Sequence, residues 1–95
     1  MIKELYNDII LEVDKFIFDS THRPTFDSIK ESTAFYHNVV DVYFLLKSEL
    51  ESIKTDLVDK QMDNLVYALS EKSTELDIAF ESYADEIIVL NYLKQ

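Results

Sequence analysis

A chain of 95 residues, 47% of them hydrophobic, makes one domain with one core and is too apolar for a disordered tail. It contains no glycine and no cysteine, which removes glycine-dependent hairpins, phosphate-cradling loops, disulfides and thiolate metal sites. Nineteen acids against nine bases give a formal charge of −10, which repels nucleic acid and anionic membrane surfaces, so neither is an expected direct partner.

The first predicted element is a helix from Ile2 to about Phe18. Leu5, Ile9, Val13 and Phe16 recur at spacings of three and four, and Tyr6, Ile10 and Ile17 widen the stripe. Glu4, Asp8, Glu12 and Lys15 fall on the other side. The run from Asp19 to Pro24 is a cluster of turn formers, and proline disfavours helix in the residue before it, so the helix ends there. Met1 to Asp14 carries acids where a signal peptide would carry basic and then apolar residues. No apolar run approaches the roughly 20 residues of a membrane span, and the expected location is the cytoplasm.

The second helix begins between Thr25 and Ser28, where Ser28 and Glu31 have the spacing of a capping box. Its apolar residues then keep a heptad register. Ile29, Tyr36, Tyr43, Leu50 and Leu57 form one row; Val39, Leu46 and Ile53 form the other, with Ser32 its one polar member. Such a seam predicts a rod of roughly 40 Å or more.

The register stops at Leu57, because Lys60 occupies the next seam position. A new frame then fits: Met62, Leu69, Leu76, Tyr83 and Leu90 in one row, with Val66, Phe80 and Ile87 in the other and Ser73 breaking it. The change of frame places a turn between Asp56 and Asp63, with Asp or Asn expected to supply the left-handed residue. A second break at Ser70–Thr74 would give a four-helix bundle. The expected fold is all-α, a single domain over residues 1–95, with a shorter first helix packed on a long two-helix hairpin; the four-helix bundle is the alternative.

Two surfaces stand out. The last helix carries Glu71, Glu75, Asp77, Glu81, Asp85 and Glu86 around a single Lys72. Asp77, Glu81 and Asp85 recur every four residues, predicting one exposed acidic stripe with charges about 6 Å apart. That is close to the phosphate spacing of a nucleic-acid strand. The second surface is on the middle helix, where Ala34–Leu46 is apolar on most sides. Phe35 and Phe44 are the expected anchors if one side is left open to another copy or to a partner.

Catalytic signatures are missing from the sequence. A di-iron bundle needs paired Glu-x-x-His motifs, but Ala34 stands three residues before His37 and Asp19 before His22. The loops that would form an oxyanion hole are lacking, and no cofactor or metal is expected.

Glu4-Leu5-Tyr6-Asn7-Asp8-Ile9 resembles a stretch near the start of some small helical bacteriocin-immunity proteins. The resemblance spans six residues, stops before the second helix and assigns no family. Size, acidity and helix pattern are also similar in type to those of small export chaperones and phage-encoded inhibitors.

These features lead to two functional expectations. The first is a non-enzymatic acidic inhibitor or immunity-type protein, such as a phage-encoded anti-defence protein or nucleic-acid mimic, that engages a basic, nucleic-acid-binding partner protein. The second is a structural or chaperone-like assembly module, such as a homodimer, that binds through the apolar side of the second helix.

Overall fold

The computed structural model describes residues 2–22 and 26–94, with backbone alone at Ile29 and 87–94. It contains three helices, α1 (Ile2–Thr21), α2 (Ile29–Asp59) and α3 (Asp63–Lys94). They form a rod of 52 × 18 × 18 Å. Arg23, Pro24 and Thr25, part of the expected first turn, lie outside the described residues, as do the side chains of Ile29, Ile87 and Leu90 at the ends of the seams.

The first helix runs one turn beyond its expected end. Its final carbonyls, which have no partner within the helix, accept hydrogen bonds from short polar side chains. Ser20 Oγ donates to Ile17 O (2.6 Å) and Thr21 Oγ1 to Phe18 O (2.9 Å). Helix α2 starts at the expected cap: Ser28 Oγ accepts from the Glu31 N–H at 3.1 Å. Glu31 reaches back to the N–H of Asp27 (3.1 Å), one residue earlier than in the standard box.

The turn between α2 and α3 departs from expectation. The left-handed residue is Gln61, at φ 58°, instead of an Asp or Asn. Met62 N–H donates to Leu57 O (2.9 Å) and Gln61 N–H to Val58 O (3.0 Å), the paired bonds of a Schellman motif whose left-handed site usually holds glycine. Helix α3 continues unbroken through Ser70–Thr74. Ser70 and Thr74 bond back to the carbonyls of Val66 and Ser70, so they take helical partners in place of capping ones.

The heptad rows become the core. Val39, Leu46, Leu50, Ile53 and Leu57 of α2 are buried against Leu69, Leu76, Ala79 and Tyr83 of α3 and Ile9, Val13 and Phe16 of α1. At the end away from the turn, an aromatic group joins all three helices to the α1–α2 connection. Phe16 meets Tyr83 edge-on at 5.2 Å, and Phe35 lies 5.7 Å from Tyr83 and 5.0 Å from Phe26. Leu5, expected in the α1 stripe, is instead 53% exposed. It belongs to a stretch of α1 that leans over an open cleft against α2.

Candidate functional site: the acidic helix α3 and its seam with α2

A helix turns about 100° per residue, so six acids spread over sixteen positions cannot all share one face. Glu71, Glu81 and Asp85 fall within about 80° of one another on the outward side of α3, and all three are exposed. Glu75 is exposed but turned toward α1, where it accepts from Lys72 at 3.0 Å. Glu86 is partly buried.

Asp77 is the member that leaves the expected stripe. It lies at the edge of the seam and points across it to α2, where its carboxylate accepts the Tyr43 hydroxyl (2.6 Å) and pairs with Lys47 (3.2 Å). Lys47 also donates to Ser73 at 2.7 Å. Ser73, the polar break in the second row of α3, therefore accepts a hydrogen bond from the ammonium of a lysine that reaches across from α2. The Asp77 bond, together with burial and the charges of Asp77 and Glu81, pushes the Tyr43 phenol up to about 12. Tyr43 also stacks on Phe80 at 4.1 Å, with Tyr36 6.4 Å away on the same ring. Asp77 thus closes the α2–α3 seam, and the exposed acidic face consists of Glu71, Glu81 and Asp85.

The one base in the middle of α3, Lys72, is engaged at the surface between α3 and α1. Its ammonium donates to Asp14 of α1 at 2.6 Å and to Glu75 at 3.0 Å. Those bonds, the Asp14 one first, raise its pKa. The outward face of α3 also carries Tyr67 and Ile78, which are largely exposed. Sequence reading passed over both, although each falls outside the α3 seam frame and could have been found from that.

The two proposed anchors on α2 part ways. Phe35 is turned inward and packs in the Phe16–Phe26–Tyr83 group. Phe44 is 63% exposed and touches its neighbour Tyr43 edge-on at 5.3 Å. Val42 and Leu45, on a different side of α2, are also exposed. His22 stacks on Phe18 at 4.0 Å at the end of α1, and His37 is exposed on α2.

Among the described residues, no group of three or more His, Asp or Glu side chains is placed to hold a metal ion. Among them, too, no helix is long and apolar enough to cross a membrane. No protein-family model matches the chain, and no curated protein or solved structure is significantly similar to it.

Proposed function

We propose that this chain is a non-enzymatic acidic binding protein of the inhibitor or immunity type, which sets the outward face of α3 against a basic surface of a partner protein. The observation that carries the reading is the exposed set Glu71, Glu81 and Asp85 beside a lysine already engaged by Asp14 and Glu75. Glu81 and Asp85 stand one turn apart, about 6 Å, a pitch suited to cationic side chains arranged to grip phosphates. A surface of this charge gains mainly in association rate and selectivity, and loses both as salt rises.

The test is the triple reversal Glu71→Lys/Glu81→Lys/Asp85→Lys, with Asp77 left in place because it serves the fold. Wild type should retain a basic protein from a lysate of the source organism at about 0.1 M salt and release it at about 0.5 M. The variant should fold and retain nothing. Equal retention by both would refute this reading.

A second reading is favoured by one observation, the exposure of Phe44 on α2. It makes the protein an assembly module, as a homodimer or within a hetero-bundle, joined by helix-on-helix packing with little salt dependence. Sedimentation over a range of concentrations, with Phe44→Asp as the comparison, tests the homodimer. A strict monomer at high concentration removes it.

A further inference from the structure

We infer that the seam between α1 and α2 is the seat for a basic amphipathic helix of a partner protein, docked as a fourth helix of the bundle. The seam opens into two clefts. One, of about 300 Å³, is lined by the buried Ile9 and Ile53, the exposed Leu5, and the acids Asp8, Glu12 and Glu49. The other, of about 230 Å³, lies further along between Phe16, Val39 and Val42, with Asp19 and His22 at its edge. Glu12 and Phe16 are one helical turn apart on α1. Val42 and Glu49 are two turns apart on α2 with Leu45 between them, so the two clefts follow one another along the same seam.

From Leu5 to His22 the groove runs about 25 Å, the length of a helix of about 17 residues. Leu5 and Val42 are exposed apolar side chains lining the clefts, and the exposed Leu45 lies between them along α2, so an amphipathic helix has apolar surface to seat its stripe on. The side chains lining both clefts include four acids and neither lysine nor arginine; Lys15 is exposed on α1, between the Glu12 and Asp19 turns.

Charge decides the occupant. A helix laid here brings its flanks against Asp8 and Glu12 on one side and Glu49 on the other, so those flanks must be basic. A second copy of this chain does not meet that need, because each of its three helices carries more acids than bases. The partner is therefore a different protein, one with a helix of leucine-like residues on one side and Lys or Arg on both flanks. The groove lies away from the outward face of α3, and the two surfaces stand or fall separately.

The test uses a fluorescent peptide of about 18 residues, with leucines at i, i+3 and i+4 spacing and lysine and arginine flanks, titrated into the full chain. The expected result is saturable binding, with amide NMR shifts confined to 5–22 and 38–53. A scrambled peptide of the same composition, and one with glutamate flanks, should each bind at least about tenfold more weakly. Leu5→Lys and Leu45→Lys lie at exposed positions and leave the helical circular dichroism intact; each should weaken binding about tenfold. The Glu71→Lys/Glu81→Lys/Asp85→Lys protein should bind within about twofold of wild type at physiological salt. Any of three results overturns the inference: no saturation up to about 1 mM peptide, equal binding of the scrambled peptide, or shifts centred on α3.

Discussion

The α2–α3 seam and the α1–α2 seam are built from the same kind of amphipathic helix, yet one closes and the other stays open. Between α2 and α3 polar residues in the middle of the seam find partners across it. Lys47 reaches Ser73 and Asp77, and Tyr43 reaches Asp77. Between α1 and α2 the residues flanking the apolar floor are mostly of one sign, with Asp8 and Glu12 sharing a cleft with Glu49 and Asp19 lining the next one. Like charges cannot neutralise one another, so these acids give the seam no closing pair above its buried floor of Ile9, Phe16, Val39 and Ile53. Complementary polar groups decide whether a helical seam seals.

The widest test of that contrast compares one leucine from each side of α2. Leu57 is fully buried at the α2–α3 end of the core and Leu45 is 58% exposed beside the α1–α2 groove. Leu57→Ala should lower the unfolding free energy by about 2–5 kcal/mol in denaturant titration. Leu45→Ala should change it by no more than about 0.5 kcal/mol. A comparable loss at Leu45 would mean that the α1–α2 seam is sealed in solution.

A smaller and more specific effect separates the polar closure of the α2–α3 seam from its apolar packing. Tyr43→Phe keeps the ring on Phe80 and removes only the hydroxyl that Asp77 accepts. It should cost about 0.5–1.5 kcal/mol at neutral pH. The pKa of Tyr43 is raised by folding, so its contribution is complete below the ordinary phenol value of 10.0 and is lost as pH climbs to about 12. Tyr43→Phe should therefore remove one late tyrosinate step from the ultraviolet titration of the wild type. Alkaline destabilisation between pH 10 and 12 should be correspondingly shallower in the variant.

Periodicity made the three helices and most of the core legible in the sequence, because burial enforces it. Leu46, Leu50, Ile53 and Leu57 are where a seven-residue register places them. Spacing alone could not say which way a residue at the edge of the stripe would lean. Asp77 shares a spacing of four with Glu81 and Asp85, but it sits one step closer to the seam, where Tyr43 and Lys47 supply a donor and a cation. Phe35 and Phe44 likewise look equivalent in sequence. Only the positions of Phe26 and Tyr83, distant along the chain, make the first an inward residue. The clefts beside α1 were invisible for the same reason, since they depend on where acids of two helices meet.

The turn that makes the hairpin offers a gain in place of a loss. Gln61 holds a left-handed conformation at φ 58°, where a Cβ is crowded and glycine is not. Gln61→Gly should therefore raise stability by about 0.5–1 kcal/mol, less than the bare conformational preference, because glycine also frees the unfolded chain. Denaturant midpoints before and after the change would measure it. No gain would mean that the Gln61 side chain contributes a contact equal to its strain.

The smallest effect is expected where α1 meets α3, at the Asp14–Lys72–Glu75 cluster. Lys72 is mostly covered but both acids are about half exposed, at 50% and 52%, so water and salt screen the pair. Lys72→Gln should cost no more than about 1 kcal/mol, and that difference should shrink between about 0.05 M and 0.5 M salt. The pKa of Lys72 is raised, chiefly by Asp14. Its contribution is thus complete below the ordinary lysine value of 10.5 and fades as pH rises through the folded value. Asp14→Asn should reproduce most of the Lys72→Gln loss and Glu75→Gln little of it, since the bond to Asp14 is shorter and joins two helices while Glu75 lies on the same helix as the lysine. If the two acid variants prove equal, the cluster is a local feature of α3, and α1 is held to the bundle by its apolar stripe alone.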